Sequence, residues 1–331
     1  MKVLVTGATG FIGRALCRHL LLHGWSVRAA SRSGSTPPGT ESVRIDAVDE
    51  RTDWTEALGG VDVVVHLAAR VHVMHEANPD PLNAFRTVNT QGTGRLAAMA
   101  AGAGVRRLVY VSSIKVNGEQ TAHGPFTEAD VPSPDDPYGK SKWEAEQALW
   151  GTARRTNLEI VVVRPPMVYG PGAPGNFNRL LRFISLGIPL PLGSVHNQRS
   201  FMYVENLCDA IRTCLQHPAA AGRTFLLSDG EDISTPELIR VLSECLGRRG
   251  RLLPFPTSLL EAGANLLGFR GEAERLLRSL RVDSSAIRQT LHWNPPYPLR
   301  EGLRATAEAY LAALEDRGRE PSTLPSNFSS A

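Results

Sequence analysis

Over the first half of the chain the apolar positions alternate between two patterns: short runs of β-branched residues and longer stretches at helical spacing. Met1-Lys2-Val3-Leu4-Val5 is the first run, and it breaks into Thr6-Gly7-Ala8-Thr9-Gly10-Phe11-Ile12-Gly13. Behind the glycines, Ile12, Ala15, Leu16, His19, Leu20 and Leu22 recur near helical spacing as far as Gly24, a helix stop. Further strands are predicted over 25–32, 42–46, 61–69 and 106–113, with a long helix over 83–102 and another over 137–156. The run at 61–69 is almost wholly apolar, as expected of a strand buried on both faces of a parallel sheet. The alternation predicts an α/β fold, a doubly wound parallel sheet, which binds ligands at the carboxyl ends of its strands.

The second half continues with a helix from Val204 to Gln216 and a strand over 223–228. Ser234-Thr235-Pro236-Glu237 carries the cap, early proline and acid of a helix start. A last helix is predicted over 283–293. Residues 1–165 are expected to form a dinucleotide-binding domain of Rossmann type. Residues 166–315 mainly form a smaller mixed α/β substrate lobe with returns to the first domain, and 316–331 form a polar tail.

Composition narrows the class without naming it. The 331 residues are 42% hydrophobic, enough for a sizeable core, and the formal net charge is only +3. Arg106-Arg107, Arg154-Arg155 and Arg248-Arg249 are isolated pairs, so a nucleic-acid partner is not expected. Cys17, Cys208, Cys214 and Cys245 have no metal-ligand spacing, fall in predicted helices and read as free thiols of a reducing compartment. With neither a leader pattern nor a run of about 18 apolar residues, a cytoplasmic protein without membrane insertion is expected.

A strand that enters a helix through glycines gathers free N–H groups at the positive end of a helix dipole, which suits a phosphate. Gly7 permits the turn, Gly10 admits a pyrophosphate, and Gly13 lets the helix pack against the strand. At the end of the second strand stand Ser31-Arg32, where an NAD-preferring site usually carries an acid, so NADP(H) is favoured over NAD(H). Asp46 closes the third strand, and Ala68-Ala69 close the fourth with side chains small enough for a cofactor to lie against. The histidines of the following loop, His72 and His75, lack metal-ligand partners and are expected at the mouth of a substrate cleft, beside Arg70. Tyr138 and Lys142, four apart, share a helix face; a cation there is expected to lower the tyrosine pKa and make it a general acid or base.

The glycine motif, Ser113 and Tyr138-x-x-x-Lys142 together resemble the extended short-chain dehydrogenase/reductases, the nucleotide-sugar epimerase, dehydratase and reductase family. The resemblance implies a catalytic trio of Ser113, Tyr138 and Lys142. It places the cofactor against Gly7, Thr9, Gly10, Phe11, Ile12, Ser31, Arg32, Asp46, Leu67, Ala68, Ala69, Asn89, Val111, Tyr138, Lys142 and Pro165. It also implies a UDP-sugar held by Ser113, Tyr138, Asn176, Leu190, Leu192 and Arg199, and a homodimer packed through small residues such as Leu96-Ala97-Ala98-Met99-Ala100-Ala101. Glu205 stands where many relatives carry aspartate.

Three outcomes share this machinery: epimerisation, dehydration and reduction. The family's dehydratases carry an Asp-Glu pair after the serine, where this chain has Ile114-Lys115, so dehydration is not expected. Several stretches, 189–193 among them, resemble a bacterial surface-polysaccharide subgroup that reduces UDP-4-keto-6-deoxy-N-acetylglucosamine to UDP-N-acetylquinovosamine. Its members are often labelled UDP-glucose 4-epimerases. A 4-reductase is the favoured expectation and a 4-epimerase with tightly bound NAD the alternative. A dinucleotide sensor without turnover is a minor third, since both Tyr138 and Lys142 are present.

Overall fold

The computed structural model describes residues 1–71, 80–266 and 270–319. Its main sheet holds seven parallel strands in the order β3-β2-β1-β4-β5-β6-β9. These are β1 (Lys2–Thr6), β2 (Ser26–Ser31), β3 (Glu41–Arg44), β4 (Val63–His66), β5 (Arg107–Val111), β6 (Glu159–Arg164) and β9 (Arg223–Leu226). A smaller sheet joins β7 (Met167–Tyr169), β8 (Arg199–Tyr203) and β10 (Asp232–Ile233), with β10 antiparallel to β8. β9 follows the whole of the small sheet's first two strands and returns to the edge of the large one.

Continuous apolar strands arise because both faces of the large sheet are covered. Val3, Val5, Val63, Val65, Val109 and Val161 belong to one core, together with Leu16 and Leu20 of the helix Phe11–Leu22 and with Leu207 and Ile211 of Val204–Gln216. Leu4, Val64, Leu108, Tyr110 and Val162, the alternate positions, belong to the other, together with Leu96, Ala97 and Ala100 of Thr93–Gly102 and with Ala145 and Leu149 of Pro137–Ala153. Leu96, Ala97 and Ala100, expected as packing residues between subunits, are therefore fully buried within their own chain. The four cysteines are free thiols.

Two predicted elements differ. The helix expected over 83–102 is three segments: a turn of α-helix from Pro81, capped by the Asp80 side chain, a π-helical stretch Arg86–Gly92, and the α-helix Thr93–Gly102. The wider π turns bring Asn89 inward, where it bonds backbone 19 residues upstream, a feature that periodicity does not register. Helix Val204–Gln216 begins where expected without a side-chain cap; Glu205 instead pairs with Arg18 of Phe11–Leu22, tying two helices together. His72 and His75 lie outside the described residues.

Candidate active site

Backbone geometry shapes the glycine turn. Gly7 has φ +68°, and a Cβ on it would stand 2.8 Å from the Ala68 nitrogen. A Cβ on Gly13 would stand 2.1 Å from the Gly7 oxygen, so only glycine lets the helix reach the strand. Gly10 caps that helix with no side-chain hydrogen bond, and no acid occupies the first turn. The first-turn N–H groups thus face an uncharged opening, the arrangement a pyrophosphate requires. Beneath it, Thr6 Oγ1 shares a 2.7 Å hydrogen bond with His66 Nδ1 and accepts from the Leu67 and Ala68 nitrogens. His66 Nε2 meets Thr93 Oγ1 at 2.9 Å.

The turn opens into a cleft of about 850 Å³. Its lining includes Gly7, Thr9, Gly10, Phe11, Ile12, Ser31, Arg32, Asp46, Leu67, Ala68, Ala69, Val111, Ser113, Tyr138, Lys142 and Pro165. The cofactor set and the catalytic trio therefore share one cavity. Ser31 Oγ is buried there without a hydrogen-bond partner, while the Arg32 side chain is exposed at the rim. Asp46 is exposed and pairs with Arg44 at 3.1 Å. Asn89 does not line the cleft. Its Oδ1 accepts from the Arg70 nitrogen at 2.8 Å, and its Nδ2 donates to the Arg70 oxygen and Ser141 Oγ, both at 3.0 Å, so it braces the wall from behind.

Asp136 caps the tyrosine helix, accepting from the Gly139 nitrogen at 2.6 Å, with Pro137 next to it. Asp136 also pairs with Lys115 at 2.5 Å, and Lys115 reaches Glu119 at 2.5 Å. An Asp-Pro pair opening a helix is a legible cap; its ion pair with a residue 21 positions upstream is not. Ile114 is buried among Leu226, Leu280 and Val282. Ser112 Oγ, next to Ser113, donates to Glu146, which is paired with Arg164 at 2.5 Å; Arg164 also donates to Asn117 Oδ1. This buried network fixes the serine strand, the tyrosine helix and β6 as one unit.

Lys142 does not lower the tyrosine pKa as expected. Burial first, then the charge of Asp136, pushes Tyr138 up. The lysine amine is itself pushed down to about 7 by burial, opposed by Glu146. It donates to the Val111 oxygen at 2.8 Å and stands 4.3 Å above the Tyr110 ring. A shared helix face therefore holds, but desolvation outweighs proximity. Tyr138 is half-buried, its ring edge-on to Phe85 at 6.1 Å between centroids.

Of the residues expected at the substrate, Ser113 and Tyr138 line this cleft, whereas Asn176, Leu190, Leu192 and Arg199 do not. Asn176 opens the helix Asn176–Ser185 and is half-buried; Leu192 is buried in the main core. Leu190 borders a separate recess with Ile188, Arg249 and Arg251. Arg199 is buried in β8, donates to the Arg278 oxygen at 2.9 Å and, among the described residues, has no carboxylate in hydrogen-bond contact. Burial, followed by the charge of Arg275, pushes its guanidinium down to about 10 against the opposing charge of Glu119. A buried cation beside another cation is a site for an anion.

Residues 3–227 match the family model described as the NAD dependent epimerase/dehydratase family. The chain belongs to that family. A Vibrio cholerae relative named UDP-glucose 4-epimerase is 43% identical over 315 residues, covering 94% of this chain and 96% of the relative. An Escherichia coli O157:H7 relative, N-acetyl-alpha-D-glucosaminyl-diphospho-ditrans,octacis-undecaprenol 4-epimerase, is 30% identical, covering 78% and 77%. Among solved structures, MoeE5 in complex with UDP-glucose and NAD matches at TM-score 0.77 and 28% identity, covering 95% of this chain and all of that one. The family's Rossmann-type sheet and NAD-binding neighbours agree with the glycine turn described above.

Proposed function

We propose that the chain is a 4-epimerase of UDP-linked hexoses or N-acetylhexosamines, keeping its NAD bound through each turnover. The observation that carries the oxidoreductase part of this reading, which epimerase and reductase share, is the placing of Ser113, Tyr138 and Lys142 in the cleft that opens from the glycine turn. The names of two relatives and the UDP-glucose in a similar structure support carbon 4 of a diphosphate-linked sugar as the reacting position.

Gly7, Gly10 and the first turn of Phe11–Leu22 hold the pyrophosphate, and Ser31 holds a ribose hydroxyl, which its partnerless Oγ suits. Ser113 hydrogen-bonds the sugar oxygen, and Tyr138 takes its proton as the alcohol becomes a ketone, then returns it. A bound oxidised nicotinamide supplies the hydride acceptor and a positive charge in the cleft. Because burial disfavours the phenolate, proton transfer needs a cation nearby, which Lys142 provides in the fraction that is protonated near pH 7, beside the charge of the nicotinamide. Ile114 and Lys115 put no acid after Ser113, which counts against elimination of water. Two copies of the chain pack through the outer faces of Thr93–Gly102 and Pro137–Ala153.

A second reading, the 4-reductase, is favoured by one observation: Ser31 and exposed Arg32, rather than an acid, close β2 at the cleft. Arg32 suits the additional phosphate of NADP(H). The test uses the protein purified without added cofactor. Interconversion of UDP-glucose with UDP-galactose, or of their N-acetyl forms, with no net change in absorbance at the reduced-nicotinamide band is the expected result. Stoichiometric oxidation of NADPH by UDP-4-keto-6-deoxy-N-acetylglucosamine, with no interconversion, overturns the epimerase and establishes the reductase.

A further inference from the structure

Apolar side chains gather in solvent on one side of the substrate lobe. Two extended segments pair there: the Leu190 nitrogen donates to the Arg251 oxygen at 2.8 Å, and the Leu253 nitrogen to the Leu190 oxygen at 2.9 Å. Alternation divides the second segment, with Leu252 on the core and Leu253 and Phe255 outside. In the first, Leu190 packs on the core, while Ile188, ahead of the pairing, stands outside. Phe183 and Leu186 continue the exposed surface along the end of Asn176–Ser185. Helix Thr257–Leu266 extends it on the other side. That helix has no buried residue; Leu260 rests on the core, while Leu259 and Leu266, seven apart on one helical face, are 57% and 87% exposed. These seven are half of the fourteen large apolar side chains exposed among the described residues, and they fall in two stretches that the Leu190–Leu252 pairing joins.

Cations border it. Arg182, Arg248, Arg249 and Arg251 are exposed, and among the described residues none has an acidic partner. Arg249 and Arg251 line the same small recess as Ile188 and Leu190, which puts charge and apolar surface side by side. Residues 248–278 hold six arginines and three glutamates, a surplus of three that equals the +3 of the whole chain. One of those acids, Glu261, is already paired with Arg278 at 3.0 Å.

We propose that this face docks the chain on an anionic phospholipid bilayer. Leu253, Phe255 and Leu259 enter the headgroup boundary, and Arg248, Arg249 and Arg251 meet the lipid phosphates. Exposed apolar side chains flanked by unpaired arginines are what an interfacial surface combines. A nucleic acid has no use for the apolar half. A second copy meeting this face on a two-fold axis would bring arginines against arginines, which disfavours self-association there. Among the described residues no helix is long and apolar enough to cross a membrane, so the contact is peripheral. The docked face adjoins the Leu190–Leu252 pairing, so it is the substrate lobe that turns towards the bilayer.

Flotation of the intact protein with vesicles tests this without any assay of turnover. The protein is expected to float with phosphatidylglycerol–phosphatidylcholine vesicles, to stay behind with phosphatidylcholine alone, and to be released by salt. Near-surface cations are worth about fivefold each, so the double variant R248S/R249S should partition roughly 25-fold more weakly. Phe255→Ser should lose about tenfold through its apolar contact. Both variants change exposed side chains, and unchanged thermal melting shows that they fold. Failure to float with anionic vesicles overturns the proposal, as does equal binding to neutral and anionic ones. A wild-type dimer that Phe255→Ser converts to monomer overturns it too, assigning the face to a second copy.

Discussion

The two sides of the candidate site are made of different material. On the cofactor side, recognition rests on backbone: a glycine with φ +68°, a helix start with no side-chain cap, and a strand-to-helix contact that a single Cβ would close. On the proposed substrate side the residues expected to meet the sugar are side chains from distant segments outside the cleft's lining: Asn176, Leu190, Arg199, and the neighbours of Arg199 at 275–278. The first kind is local and stands complete in thirteen residues. The second exists only after the chain has folded. A phosphate, alike in every dinucleotide, can be met by a fixed backbone cradle, whereas a sugar that differs between relatives is met by exchangeable side chains.

Several measurements break or sharpen that contrast. The largest effect is expected where the two sides meet: Tyr138→Phe should lower kcat about 10³-fold while NAD affinity stays the same, measured by steady-state kinetics and calorimetric titration. A parallel loss of NAD binding would mean that the phenol belongs to the cofactor side. Gly13→Ala should cost about 3 kcal/mol, the upper end for overpacking, because its Cβ meets backbone at 2.1 Å. Chemical denaturation reads that cost, and a neutral result would deny that the cradle is rigid.

Arg199→Met should raise KM for the UDP-sugar about 30-fold, as expected for a charge-assisted contact, and leave NAD affinity alone. Stability should not fall, since a guanidinium held in apolar surroundings is removed. Arg32→Asp should shift the preference between NADPH and NADH by about tenfold towards NADH, read from the ratio of dissociation constants. A further effect concerns pH. Lys142 is pushed from 10.5 to about 7 in the folded chain, so between those values the unfolded chain binds more protons and stability rises with pH. The melting temperature should climb from pH 7 towards 10, and Lys142→Met should flatten that climb.

Legibility in the sequence followed the same division. The first five strands and the glycine turn are readable because period and local turn chemistry determine them, whereas the central strand Glu159–Arg164 is not among the predicted elements. Glu205 stands out in the sequence only as a departure from the relatives' aspartate, because its partner Arg18 lies 187 positions away. The π-helical stretch at Arg86–Gly92 was invisible, since Asn89 is drawn inward by the Arg70 backbone rather than by any neighbour. The tyrosine helix shows both cases: spacing placed Tyr138 and Lys142 on one face, but only the folded structure reveals that both are deep enough for desolvation to set their protonation. Leu190 and Leu192, one expectation in the sequence, part company in the fold: one borders a recess and the other joins the core.

The threonine–histidine–threonine contact under the glycine turn also fixes a tautomer. Thr6 Oγ1 already accepts from two backbone nitrogens, so its own hydrogen points to His66 Nδ1, which must be the bare nitrogen of the ring. The ring hydrogen then sits on Nε2 and is given to Thr93. Burial pushes this histidine down to about 3, and the charge of Lys142 adds to that. The floor of the phosphate cradle is thus an electrically silent spacer with one hydrogen-bond direction, and this histidine adds no charge to the attraction felt by a pyrophosphate between mild acid and neutrality.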